Sequence, residues 1–176
     1  MNRVNKNEKD VKYILDNLRE VDHIECIDSK GENYKEIVYK EIMETDFDCL
    51  IGEDSGKPVV MGGVWRTNPD IPDCGCVWLL STDEVVKHQV SLLRHLKHEF
   101  ERYDEEFYIT CNYIHDSNLV ARRWLEWIGF DFNGLTGVPK KKNFTFFYRI
   151  NPKMKKMKGL SSLTEEIKLS QKKKGI

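Results

Sequence analysis

The sequence predicts an α/β fold: one domain on a mixed sheet, with helices on both faces. Three observations predict it. Segments with helical and strand-like apolar spacing follow one another in the order helix, helix, three strands, helix, strand, helix, strand, and a chain so built buries its apolar stripes by laying helices on a sheet. Two short apolar runs flank Asp54-Ser55-Gly56-Lys57-Pro58, which is turn chemistry joining a hairpin. Finally, the run Asn118 to Phe130, NLVARRWLEWIGF, reads as a short helix that stops at Gly129 and leads into a strand.

In chain order, Val11, Ile14, Leu15 and Leu18 place a first helix over 8–20, with Asn7 as its cap. Gly31 and Asn33 interrupt, and Tyr34, Ile37, Val38, Ile42 and Met43 mark a second helix ending near Thr45. The hairpin strands are Phe47–Glu53 and Pro58–Trp65, where Gly62 and Gly63 imply a bulge or a close backbone approach. A loop with Pro69 and Pro72 leads to a third strand, Gly75–Leu80. Ser81-Thr82-Asp83-Glu84 has the form of a capping box for the longest helix, marked by Val86, Val90, Leu93, Leu96, Phe100 and Tyr103. Phe107–Tyr113 is a strand and Asn118–Ile128 a helix. A short strand is expected near Asp131, then a loop with Gly134, Gly137 and Pro139, and last the aromatic strand Phe144–Ile150.

The chain has 176 residues, 40% hydrophobic and 11% aromatic, enough for one core plus a tail. No apolar stretch approaches the roughly 18 residues of a membrane span, so no membrane role is expected. The polar start MNRVNKNEKDVKYIL lacks the apolar core of a signal peptide, which points to the cytoplasm. Five scattered cysteines fit reduced thiols. Cys74 and Cys76 share one strand face, but no second Cys or His pair stands at zinc-site spacing, so no metal is expected. His88, His95 and His98 read as a surface stripe on the long helix. The net charge of -1 is unevenly spread: residues 151–176 hold eight lysines and two glutamates, leaving 20 basic and 27 acidic residues in 1–150. The division expected is an acidic domain, 1–150, and a Lys-rich tail, 151–176, with a small apolar stripe at Leu160, Leu163 and Ile167.

The element order resembles that of GNAT-fold acyltransferases. In that family the helix after the fifth strand often reads N-x-x-A-x-x-L-Y-x-x-x-G-F, matched here by Asn118, Ala121, Gly129 and Phe130. The domain is thus expected to be GNAT-like (acyl-CoA N-acyltransferase-like). Trp78-Leu79-Leu80, the turn with Asp83 and Val85, Arg102–Phe107 and the pair Asn112-Tyr113 resemble a GNAT-like internal virion protein of short-tailed bacteriophages. The resemblance implies a virion protein assembled in a bacterial cytoplasm, with other virion proteins as partners and packaged DNA as a possible ligand of the Lys-rich tail.

Two departures from the GNAT pattern argue against the usual activity. The family grips the pyrophosphate of coenzyme A with a glycine-rich loop at the head of the long helix. Here that place, Ser81 to Gln89, has no glycine and carries Asp83 and Glu84. The family's proton-donating tyrosine is replaced by Leu125. Tyr113 or Cys111 could stand in for it, and Glu53 or Asp116 could act as a base, though packing and turn roles explain all four. The expectation is therefore a degenerate GNAT fold acting in virion assembly through protein contacts, with no cofactor and no assigned catalytic residue. Trp124 and Trp127 are the candidate partner contacts. The alternative is an N-acetyltransferase using acetyl-CoA, with Leu80, Ser81 and Asn118 at the cofactor.

Overall fold

A computed structural model describes residues 2–44, 48–66, 74–133 and 138–152. Features expected at Phe47, Pro69, Pro72, Gly134, Gly137 and across 153–176 lie outside the described residues. The elements are β1 (Asn2–Asn5), α1 (Glu8–Asp16), α2 (Glu20–Lys30), α3 (Tyr34–Glu44), β2 (Asp48–Asp54), β3 (Lys57–Arg66), β4 (Cys74–Ser81), α4 (Val85–Tyr103), β5 (Ile109–His115), α5 (Leu119–Ile128) and β6 (Phe144–Ile150).

The six strands lie in sequence order across one sheet. Every neighbouring pair is antiparallel except β4 and β5. A parallel pair needs a crossover, and α4 supplies it. The β2–β3 hairpin closes through Ser55 and Gly56, both at positive φ (51° and 77°), as a two-residue turn matched to strand twist requires. β1 is not foreshadowed in the sequence: its four residues NRVN are mostly polar, and its place follows from backbone pairing with Leu50–Glu53.

The helix expected over 8–20 ends at Asp16, and α2, which the sequence reading did not expect, follows it. Asn7 caps α1 as expected, its Oδ1 accepting from the Asp10 N–H at 2.9 Å. The chain then turns at Asn17, Leu18 makes an isolated bridge with Thr82, and α2 begins at Glu20. The buried residues of α2 are Asp22 and Cys26, so no regular apolar stripe announces it.

The expected capping box does not form either. Ser81 ends β4, and its hydroxyl donates to the Asp22 carboxylate at 2.9 Å instead of accepting from the helix. α4 starts at Val85 with no side-chain cap. The caps of α5 do form: Asn118 Oδ1 accepts from the Ala121 N–H, and Gly129 adopts the left-handed conformation (φ 101°). In β3 the close approach is at Gly62, where a Cβ would lie 2.8 Å from the Trp78 carbonyl oxygen. The bulge lies across the hairpin, between Gly52 and Glu53.

One face of the sheet packs on α1–α3 through Val11, Ile14, Leu15, Cys26, Val38, Ile42, Ile51 and Met61. Val11, Ile14, Ile51 and Met61 are wholly buried, each such side chain contributing about 1.5–3 kcal/mol. On the other face α4 and α5 cover Val64, Val77, Ile114 and Phe147. Among the described residues no helix is long and apolar enough to cross a membrane.

Candidate active site

The site is a failure of pairing in the sheet. β4 and β5 are bonded over Cys74–Cys76 and Ile109–Cys111, and then diverge. Asn112 spans the widening gap with its side chain, Nδ2 donating to the Val77 carbonyl at 2.8 Å. Beyond it a cavity of about 340 Å³ passes between the strands. Its walls come from both faces: Glu25, Trp65, Trp78 and Leu80 are among the lining residues, with Leu92, His95, Glu99, Trp124 and Leu125 from the helices α4 and α5.

At the open end a buried polar network ties α2 to β4 and α5. Arg19 and Asp22, 7% and 2% exposed, form a two-pronged pair, Nε to Oδ2 at 3.1 Å and Nη2 to Oδ1 at 2.7 Å. Asp22 Oδ2 also accepts from the Ser81 N–H at 3.0 Å and its hydroxyl at 2.9 Å. The Ser81 carbonyl accepts from the Arg19 N–H at 3.0 Å. Asn118 Nδ2 reaches Asp22 Oδ1 at 3.4 Å and Glu25 Oε2 at 3.5 Å. Such satisfaction is what lets a charged pair persist in the interior.

Glu25 stands one turn further along α2 and is bound quite differently. Its Oε2 accepts long bonds from Asn118 and from the His115 N–H, at 3.3 Å for the latter. Among the described residues no Lys or Arg pairs with it. Burial, the largest influence, pushes its carboxyl above the usual carboxylate range, and the nearby charge of Asp22 adds to the rise. The His115 ring is engaged elsewhere, Nδ1 with Ser117 Oγ at 2.7 Å and Nε2 with Asp28 Oδ2 at 3.2 Å.

The residues expected at a cofactor are brought together, but with different freedom. Leu80 lines the cavity, whereas the backbone and hydroxyl groups of Ser81 are all engaged inside the protein. Asn118 both caps α5 and bonds the two carboxylates. Trp124 packs with Val59, Val60, Val85 and Leu92 and lies under the Arg19 guanidinium, while Trp127 is 60% exposed. His95 departs from the expected surface stripe by lining the cavity and pairing with Glu99 at 3.6 Å. Of the proton donors weighed, Tyr113 lines the cavity with its hydroxyl committed to the Pro139 carbonyl at 2.6 Å, and the thiol of Cys111 is driven upward by Cys74 and by burial. Asp116 accepts from Thr145 Oγ1 at 2.6 Å in a turn. Glu53 lies in the hairpin strand β2, opposite Pro58.

Sequence reasoning missed Glu25 and Asp22 as residues of the cavity wall. Trp78 holds its indole N–H buried with no acceptor among the described residues. A buried donor without an acceptor costs about 1–3 kcal/mol.

A sheet split between parallel neighbours, a long crossover helix and a cavity in the split define the GNAT acetyltransferase fold. Solved structures of this fold superpose over most of the chain. Aminoglycoside 6'-acetyltransferase type Ii matches with a TM-score of 0.61 at 16% identity, over 85% of this chain and 97% of that one. Ribosomal-protein-alanine N-acetyltransferase from Brucella melitensis gives 0.57 at 15%, over 85% and 99%. Ribosomal-protein-S18-alanine N-acetyltransferase from Escherichia coli gives 0.56 at 13%, over 85% and 93%. No protein-family model and no curated protein matches the chain. These likenesses correct the expectation of a non-enzymatic virion component: none of them points to a virion protein, and the neighbours named above carry acetyltransferase names.

Proposed function

We propose that the chain is an N-acyltransferase, moving an acyl group from a thioester such as acetyl-CoA to an amine in the gap between β4 and β5. The observation that carries this reading is the split itself, with its apolar cavity of about 340 Å³. Kinship with the GNAT-like proteins of short-tailed phages rests on the segments quoted above alone.

The residues fit the acyl-thioester end of acetyl-CoA better than its pyrophosphate. At the acyl end, Leu80 and Trp78 line the cavity, and the Trp78 N–H, which has no acceptor among the described residues, suits a carbonyl oxygen. At the head of α4, the Val85, Val86 and Lys87 N–H groups already donate to the Thr82, Asp83 and Glu84 carbonyls at 3.1, 3.3 and 3.0 Å. Glu84 adds a carboxylate there, which Lys87 holds at 2.6 Å and keeps below the usual range. A pyrophosphate would have to be gripped outside that turn, with Lys57 and Lys87 the nearby cations. When bound, the thioester would supply an activated acyl carbon. The protein's part is to exclude water from the cavity, orient the carbonyl and receive the amine.

Calorimetric titration with acetyl-CoA, followed by measuring thiol release with a set of primary amines, tests the reading. Binding in the micromolar range with amine-dependent thiol release is expected. No heat of binding at millimolar acetyl-CoA, together with no thiol release, overturns it.

A further inference from the structure

We infer that the acceptor is an aromatic amine that also carries a carboxylate, and that Lys141 binds this carboxylate at the edge of the cavity. The transfer itself rests on the acyltransferase reading, but the carboxylate site stands on geometry of its own.

One face of the sheet supplies a wall of aromatic rings. Trp65 stands opposite Cys76, and Cys76 opposite Cys111. Side chains alternate along a strand, so Trp78, two residues past Cys76, and Tyr113, two past Cys111, share that face. His115 follows on it, with Phe144 as its partner on β6. Trp78 packs with the α1–α3 cluster, which identifies the face. Trp65, Trp78, Tyr113 and Phe144 all line the cavity, and the two tryptophan rings lie 6.0 Å apart, tilted by 40°. Such a wall suits a flat ring, which meets other rings by edge or offset contacts.

Lys141 brings a positive charge to this wall and is itself a lining residue. Its ammonium stands 5.2 Å from the centre of the Tyr113 ring and 5.3 Å from that of Phe144, within reach of a cation–π contact. The backbone on both sides is pinned. The Tyr113 hydroxyl donates to the Pro139 carbonyl at 2.6 Å, the Phe144 N–H to the Lys141 carbonyl at 3.3 Å, and the Asp116 N–H to the Asn143 carbonyl at 2.9 Å. The other permanent cations of the cavity wall are matched: Arg19 by Asp22 and Lys30 by Glu41, both at 2.7 Å. Lys141 has its two rings and no carboxylate among the described residues. A ligand entering here meets one positive charge without its opposite. A single ammonium suits the single charge of a carboxylate, whereas a phosphate is better met by the forked donors of arginine. Ring and carboxylate together fix the direction of the molecule, and its amine enters the split between β4 and β5.

The test uses the full chain, acetyl-CoA and three amines: para-(aminomethyl)benzoate, benzylamine, which lacks the carboxylate, and the cyclohexane analogue of the benzoate, which lacks the aromatic ring. By calorimetry the wild type should bind the benzoate about tenfold more tightly than either of the others, the increment of one charged hydrogen bond or one aromatic contact. Lys141 is exposed, so Lys141→Gln should keep the wild-type melting temperature. It should bring the benzoate down to the affinity of benzylamine and leave benzylamine itself within about twofold. With acetyl-CoA as donor, its loss for the benzoate should fall on KM rather than on kcat. Lys141→Arg, which keeps the charge, should recover most of the benzoate affinity. Equal wild-type affinity for the benzoate and benzylamine, or equal benzoate affinity in wild type and Lys141→Gln, overturns the inference. Equal affinity for the benzoate and its cyclohexane analogue overturns its aromatic half. Failure of acetyl-CoA to bind the wild type, with the Lys141-dependent benzoate binding intact, overturns the acyltransferase reading and leaves the carboxylate site standing.

Discussion

The two ends of the β4–β5 pair are built from similar parts to opposite effect. At the closed end, Arg149 of β6 grips Asp104 with two bonds, at 2.5 and 2.9 Å. Asn151 donates to the Asp104 and Phe107 carbonyls, and its N–H to that of Tyr108. Arg149 and Asp104 answer each other there, and the strands stay together. At the open end, Arg19 and Asp22 make an equivalent pair, but one turn along α2 stands Glu25, which has no such partner among the described residues. The difference teaches that a buried ion pair in this fold is scaffolding, while the carboxylate beside it stands without a matching cation among the described residues.

The largest effect should come from removing the scaffold at the open end. Asp22→Ala leaves the Arg19 guanidinium buried without its carboxylate and strips an acceptor from the N–H and hydroxyl of Ser81. Breaking one side of a buried pair costs about 3–5 kcal/mol. For a chain of this length that lowers the melting temperature on the order of 10 °C. A thermal scan showing a loss below about 1 kcal/mol would mean that water, not burial, governs this network.

A smaller loss is expected where β3 supports the divergent strand. In Gly62→Ala the new methyl meets the Trp78 carbonyl at 2.8 Å, backbone that cannot swing aside as a side chain could. Overpacking of this kind costs about 1–3 kcal/mol. Because the displaced residue is Trp78, acetyl-CoA affinity should fall along with the urea midpoint. Lost stability with unchanged affinity would show that Trp78 does not shape the ligand's place.

How much of this was legible in the sequence depends on the distance over which each feature is specified. The caps at Asn7, Asn118 and Gly129 and the turn at Ser55-Gly56 are local, so three or four residues suffice to announce them. The split strand could be foreseen through the family likeness of the run ending at Phe130. Helix α2 could not, because it buries Asp22 against Ser81, 59 positions away, and apolar periodicity is blind to a buried charge. The same blindness turned Ser81 into an apparent helix cap and hid Glu25, the unmatched carboxylate of the cavity.

The contrast between Asp22 and Glu25 can be sharpened by pH. The folded state holds the Glu25 proton more tightly than the unfolded chain does. Between the unfolded value near 4.5 and the raised folded value, the native protein therefore binds more protons, and this group's contribution to stability falls as pH rises. Glu25→Gln removes the dependence. The variant should gain on the wild type as pH increases through that window and hold a constant lead above it. Urea denaturation of both proteins from pH 4.5 to pH 8 measures the difference, and parallel curves would mean that Glu25 is solvated like an ordinary surface carboxylate.

The smallest effect concerns the thiols around the split. Burial pushes Cys26 and Cys76 up to about 12, so at pH 8 about one molecule in ten thousand carries the reactive thiolate at either position. Cys76 sits where β4 and β5 are still paired, opposite Cys111, and Cys26 is buried under α1–α3. Iodoacetamide should accordingly label both at rates set by opening of the fold, much slower than a free thiol. If the closed end is the more rigid, Cys76 should be labelled no faster than Cys26 in the wild type, and Asp22→Ala should accelerate Cys26 more, because it loosens α2 and leaves the Arg149–Asp104 clamp in place. Equal acceleration of the two cysteines would show that the ends of the strand pair open together, and that their different wiring does not divide the molecule into a rigid end and a working end.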